Sequence, residues 1–235
     1  MSDVSVPATT VSDTTVSDAI VIENLSFAWG ETPILQQCSL RVPQGQFWML
    51  LGANGSGKST LLKLLADLLP WPDNAPRQII RPLGFVFQNP DHQLVMPTVG
   101  ADVAFGLADT TLSWFEKETR VRRALEQVGL LAVKQRPIYT LSGGQKQRVA
   151  LAGTLARQCR LLLLDEPTAL LDAESQQELV KQVRTLVDQQ GITVLWITHR
   201  LEELTWADQA VLLHQGRLVA QGSPTAIHAS LISMV

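Results

Sequence analysis

FWMLL at residues 47–51 runs straight into GANGSGKS at 52–59, and Leu61, Leu64, Leu65 and Leu68 then recur at helical spacing as far as Pro70. An unbroken apolar run suits a strand buried on both faces, and leucines three and four apart suit one face of a helix, so the order is strand, loop, helix. The loop fits the pattern G-x-x-x-x-G-K-[ST] in the structural context that pattern requires. Gly52, Gly55 and Gly57 let the backbone curl so that successive N–H groups point inward, and the start of the following helix adds a positive dipole end. Gly52, Ala53, Asn54, Gly55, Ser56, Gly57 and Thr60 thus form an anion cradle that a triphosphate fits. Lys58 is placed to reach the β- and γ-phosphates as a point charge, and Ser59 offers a hydroxyl to Mg²⁺.

Two further stretches carry chemistry. LLLLDE at 161–166 puts two carboxylates at the end of a second buried strand. Asp165 would hold Mg²⁺ through its water shell, and Glu166 would position an attacking water. Adjacent strand residues point to opposite sides, so the two acids need a loop-like end to converge; a solvated acidic turn is the plainer reading. In LSGGQ at 141–145, Ser142 can cap a helix whose first N–H groups lie bare behind Gly143 and Gly144, with Gln145 following. That geometry suits a phosphate brought by another surface. A second anion site is redundant in one chain that already has a cradle, and makes sense in a dimer. His199 follows the apolar run TVLWI at 193–197, where a hydrogen-bonded structural histidine is the ordinary alternative.

Outward from these motifs, IVIENLSFAW and CSLRV flank a turn-like stretch at 30–33 and read as an antiparallel opening. WPDNAPRQ is punctuated by prolines, LGFVFQ reads as a strand, and a loop continues through Pro97. Ser113 and Glu116 have capping-box spacing, and Val121, Ala124, Leu125 and Val128 mark one helix face closed by Gly129. Another helix is expected from just after Ser142 towards Arg157, a polar helix between the two apolar strands, a hairpin turning at Gly216 and a short tail helix. The class is α/β: a core with a mostly parallel sheet, an N-terminal antiparallel β region and an inserted helical subdomain at about 95–150. Residues 19–225 form the expected domain, between a disordered tail at 1–18 and a short C-terminal tail at 226–235.

The formal charge of −3 and pI near 5.8 argue against a primary role in neutralising nucleic-acid phosphates, so no nucleic-acid partner is expected. Cys38 and Cys159 show no CxxC or Cys/His ligand spacing, so reduced structural cysteines are the default. No apolar run approaches the roughly 18 residues needed to cross a bilayer, and the first residues carry neither the positive charge nor the apolar stretch of an export signal.

GANGSGKS, Gln88, LSGGQ, LLLLDE and His199, in that order across residues 20 to about 222, resemble the nucleotide-binding subunits of ABC transporters. The resemblance implies that ATP and Mg²⁺ are bound and ATP is hydrolysed. It makes Gln88 the glutamine that senses Mg²⁺ and the membrane partner, LSGGQ the signature contacting the opposite subunit's ATP, and His199 the switch histidine at the γ-phosphate. Lys58, Gln88, Glu166 and His199 are then the catalytic set, with Ser59, Gln88 and Asp165 around the metal. Trp29 matches the aromatic that stacks on adenine, although a core or surface tryptophan is the alternative. Asp172 in EPTALLD matches the D-loop aspartate, with Leu170 where a small residue is usual. The implied partners are a second ATPase subunit, identical or related, and separate transmembrane subunits, with the chain peripheral on the cytoplasmic face of the membrane.

QNPDHQL at 88–94, PTVGADVAFG at 97–106 and LSGGQKQRVALAGTLA further resemble the ATPases of energy-coupling factor importers, which serve vitamins and transition-metal ions. The segment from Thr60 to Gln88 is shorter than usual and lacks the Gly-containing hairpin, and Gly100-Ala101 replaces commonly acidic positions. The rival readings are an exporter ATPase, a soluble ABC switch in DNA repair or translation, and a non-hydrolysing ATP-binding scaffold. A soluble switch usually carries a long coiled-coil insertion or two ATPase units, and neither is visible in the sequence.

Overall fold

Every residue of the runs FWMLL, LLLLD and TVLWI is buried, which requires a sheet covered on both faces. The computed structural model describes residues 17–232. In chain order the elements are β1 (Asp18–Trp29), β2 (Thr32–Pro43), β3 (Phe47–Leu51), α1 (Lys58–Leu65), β4 (Arg77–Ile79), β5 (Leu83–Val86), α2 (Val99–Phe105), α3 (Trp114–Gln127), α4 (Gly143–Ala156), β6 (Leu161–Asp165), α5 (Ala173–Gln190), β7 (Thr193–Ile197), β8 (Gln209–His214), β9 (Arg217–Gly222) and α6 (Pro224–Ile232). The main sheet runs β5-β6-β7-β3-β8-β9. Its first five strands are parallel and β9 closes it antiparallel to β8. A smaller antiparallel sheet has the order β2-β1-β4.

Period-two alternation divides each central strand between two cores. Leu162 and Leu164 of β6, Val194 and Trp196 of β7, and Phe47, Met49 and Leu51 of β3 face the helical layer with α3, α4 and α5. Leu161 and Leu163, Leu195 and Ile197, and Trp48 and Leu50 face α1 and the β1–β2 ribbon. Each such side chain stabilises the fold by about 1.5–3 kcal/mol through burial. Because both faces are covered, the polar business of the molecule is confined to the ends of the strands.

The expected mostly parallel sheet, antiparallel opening and closing hairpin are all present. Four local differences have physical causes. β1 begins inside the expected tail at 1–18, because the Gln44 backbone and side chain bond Ser17 and Arg41 pairs with Asp18; the remainder of that stretch lies outside the described residues. α1 stops at Leu65, where Asp67 takes a left-handed φ of 57° held by Arg77 and Arg81, so Leu68 leaves the helical face and is exposed. The proline-punctuated stretch hides the three-residue β4, which pairs with Ile20–Ile22 of β1. α2, capped by Thr98, had no expected element because seven residues are too few to display a period.

Truncating a side chain in the doubly covered strand tests this layering. Leu163→Ala should lower the stability of the chain by about 2–5 kcal/mol, read as a shifted urea midpoint at unchanged slope.

Candidate active site

The loop after β3 is shaped by close backbone neighbours. Gly52 has φ +150° and a Cβ there would sit 2.1 Å from the Leu213 carbonyl oxygen of β8; Gly57, the N-cap of α1, has φ +105° and a Cβ would meet the Ile34 carbonyl oxygen at 3.0 Å. Any larger residue would push the loop out of its curl. The curl opens on a cavity of about 390 Å³ lined by Asn54, Gly55, Gly57, Ser59 and Thr60 and closed by Gln88 and Glu166. Lys58 folds back along the loop, its Nζ donating to the carbonyls of Gly52 at 2.8 Å and Ala53 at 3.0 Å. Burial pushes the Lys58 ammonium pKa down, against the pull of the Glu166 and Asp165 charges. Ser56 Oγ is buried with no hydrogen-bond partner among the described residues.

The two acids of the second motif converge because the chain turns between them. Asp165 is the last residue of β6, and Glu166 follows with φ +45°, a left-handed conformation that costs a non-glycine residue of order 1–3 kcal/mol. The Glu166 carbonyl accepts from Ala169 N–H, fixing the turn. Asp165 Oδ1 accepts from Ser59 Oγ at 2.9 Å. Burial pushes the Asp165 carboxyl pKa up, opposed first by that hydroxyl and then by the charge of Lys63. Glu166 Oε2 faces two side chains at once: Gln88 Nε2 at 3.4 Å and His199 Nδ1 at 3.3 Å. The turn after β6, the loop after β5 and the loop after β7 therefore meet at one oxygen.

The donor set at this point consists of hard oxygens, a serine hydroxyl and one carboxylate 2.9 Å apart, with the Gln88 carboxamide alongside Glu166. Among the described residues no three His, Cys, Asp or Glu side chains gather to form a complete metal cage. Such a sparse oxygen set fits Mg²⁺, which takes one or two carboxylates and fills its remaining positions from phosphates and water.

Other expected residues lie apart. Ser142 caps α4, its Oγ accepting from Gln145 N–H while Gln145 Oε1 accepts from Ser142 N–H. Ser142, Gly143 and Gly144 do not line the cradle cavity; Gly144 packs against Ser175, and Gly143 against Leu171. Trp29 ends β1 with its ring edge-on to Phe27 and half exposed, also outside that lining. Asp172 is the N-cap of α5, accepting from both the N–H and the hydroxyl of Ser175.

Three positioning residues escaped sequence reasoning. Gln147 of α4 is buried and donates to the Phe87 carbonyl, next to Gln88. Asp102 of α2 is buried and accepts from the N–H groups of Val95 and Met96, gathering the loop that precedes α2. Glu203, 5% exposed, accepts from Thr168 Oγ1 at 2.7 Å and Trp196 Nε1 at 3.1 Å, so it ties the turn bearing Glu166 to β7 and the His199 segment. The only sequence signal for Glu203 was an acid four residues after His199, which reads as a solvated helix residue.

Comparison with known proteins bears on what this arrangement does. A family profile described as ABC transporter matches residues 35–169. The chain is 50% identical over 221 residues to ABC transporter I family member 10 of Arabidopsis thaliana, covering 90% of this chain and 81% of that protein. It is 41% identical over 222 residues to the energy-coupling factor transporter ATP-binding protein EcfA1 of Levilactobacillus brevis, covering 88% and 80%. The solved structure of cbiO1 from Clostridium perfringens, described as part of the ABC transporter complex cbiONQ, is similar with a TM-score of 0.84 at 32% identity, covering 91% of this chain and 92% of that one.

Removing the Glu203 carboxylate should expose its role. Glu203→Ala leaves the buried Thr168 hydroxyl and Trp196 N–H without an acceptor and should cost about 1–3 kcal/mol for each. Glu203→Gln keeps one acceptor and should cost less, both read by denaturant unfolding. Equal stability of wild type and Glu203→Ala would remove Glu203 as a clamp.

Proposed function

This chain belongs to the ABC transporter family and is an ATP-hydrolysing enzyme of that family, and from that premise we propose that it energises import of a small solute through a separate membrane protein. ATP is clasped between two ATPase subunits, each triphosphate held by the cradle of one and the Ser142 end of the other. The observation that supports this reading is that Ser142 to Gly144 lie outside the cavity formed by the 52–60 loop. A second subunit, identical or related, brings them together. No helix among the described residues is long and apolar enough to cross a membrane, in keeping with a peripheral subunit docked on the cytoplasmic face. A vitamin or a transition-metal ion is the proposed class of cargo, from the likeness to energy-coupling factor ATPases.

Within each composite site, the curled backbone and Lys58 hold the β- and γ-phosphates, and Trp29 stacks on adenine. Ser59 and Asp165, with Gln88 beside them, are the residues that would hold Mg²⁺, which when bound neutralises phosphate charge and lowers the barrier to phosphoryl transfer. Glu166 accepts a hydrogen bond from the attacking water and sets it in line with the γ-phosphorus, while His199 donates to the phosphate oxygens on which charge builds. The strained Glu166 backbone fixes where that carboxylate sits, so little reorganisation is needed as the water is positioned. Departure of phosphate removes the anion that bridges the halves, and the subunits part.

Glu166→Gln should retain ATP affinity while phosphate release falls by at least about 100-fold; unchanged turnover removes Glu166 from its role. Shared sites are tested with mixed dimers, built with the natural partner if that is a different ATPase. Lys58→Ala in one subunit with Ser142→Arg in the other places both lesions in one site and leaves one site whole. Both changes in a single subunit damage both sites, so phosphate release should be far lower. Equal rates from the two mixtures would sink the shared-site reading.

A further inference from the structure

A second cavity of about 390 Å³ opens where α3, the C-terminal ends of α4 and α5, and the turn before β6 meet. Three arginines line it, and no acidic residue does: Arg120 and Arg123 stand one helical turn apart on α3, and Arg160 immediately precedes β6. Elsewhere Arg41, Arg77, Arg81, Arg148, Arg157, Arg184 and Arg200 each reach a carboxylate. The side chains of Arg120 and Arg123 form no hydrogen bond or ion pair among the described residues, and the Arg160 side chain bonds the carboxamide oxygen of Gln44. Glu116 feels the charge of Arg120, but its carboxylate is engaged by the N–H and hydroxyl of Ser113.

Helices α3, α4 and α5 all end at this cavity, and their C-termini contribute about half a negative charge each, so the rim remains positive by about one and a half charges in a chain whose net charge is −3. The floor is apolar, with Ala124, Leu155 and Ile192 alongside Cys159. Burial pushes the Cys159 thiol up to about 12, so the floor adds no charge. Guanidinium groups match phosphate oxygens two at a time, and the volume lies within the range of small-molecule sites. We propose that this cavity binds a phosphorylated small molecule, with Arg120, Arg123 and Arg160 gripping the phosphate and the apolar floor receiving the rest. It is separate from the ATP cradle: Arg160 precedes β6 and Asp165 ends it, about 17 Å away along the strand. The proposal is independent of the transport reading.

The test is calorimetric titration of the full chain with inorganic pyrophosphate, in metal-free buffer with the cradle saturated by ADP. A saturable event is expected in the wild type. It should weaken by about tenfold or more in the double variant Arg120→Ala/Arg123→Ala, which loses two charge-assisted contacts. It should persist in Lys58→Ala and in Arg122→Ala, the latter an exposed arginine of α3 outside the cavity. Retained ADP binding by the double variant verifies that it is folded. A parallel arm measures flotation with phosphatidylcholine vesicles with and without phosphatidic acid. Binding that depends on Arg120 and Arg123 but appears only with phosphatidic acid supports the phosphate site and assigns a lipid headgroup as its source. No event in either arm overturns the proposal, as does equal weakening by Arg122→Ala or loss of the event in Lys58→Ala.

Discussion

Ser59 donates its hydroxyl hydrogen to Asp165 across 2.9 Å, and that contact joins segments 106 residues apart in the chain. One lies at the start of α1, after the loop that leaves β3, and the other at the end of β6. Their strands are not neighbours, because β7 lies between them in the sheet. Register places them level: Leu50 pairs with Ile197 of β7, and Asp165 pairs with the same Ile197. Parallel pairing thus delivers the glycine-rich loop, the acids and the His199 loop to one edge, and the apolar faces of the same strands hold that edge still.

Electrostatics at this edge are deliberately unfavourable to isolated charges. Burial moves Lys58 and Asp165 towards their neutral forms, opposed at Lys58 by the Glu166 and Asp165 charges and at Asp165 first by the Ser59 hydroxyl and then by the charge of Lys63. Such a cluster attracts a ligand able to complete the pairing, since charges in a poorly hydrated pocket interact more strongly than they would in bulk water. The Glu166 turn adds backbone strain at the same place, and Glu203 opposes its relaxation from the buried side through Thr168. Stability is spent on geometry where chemistry is needed.

Much of this was legible in the sequence because it depends on local rules. The three apolar runs, the glycine-rich loop between strand and helix, and the caps at Ser113 and Ser142 each require only neighbours in the chain. The convergence of Asp165 and Glu166 was foreseen as a need for a loop-like end, while its means, a left-handed glutamate, was not. β4 and α2 escaped because they are too short for a period and are held by pairing with β1 and by contact with Lys134. That contact also accounts for Gly100, where a Cβ would lie 2.7 Å from Lys134 Cγ, leaving no room for an acid. Gln147, Asp102 and Glu203 were invisible for a related reason: a polar residue announces burial only when its distant partner is known.

The bond from Gln147 to the Phe87 carbonyl has a mechanical meaning. α4 is a stiff rod of 14 residues, about 21 Å long, with Ser142 at its tip and Gln147 a little over one turn further in. Displacing the loop that bears Gln88 must either carry α4 with it or forfeit a desolvated hydrogen bond. The Gln88 loop and the Ser142 tip are therefore tied to each other through a single helix, whose far end packs on β5 at Gly84.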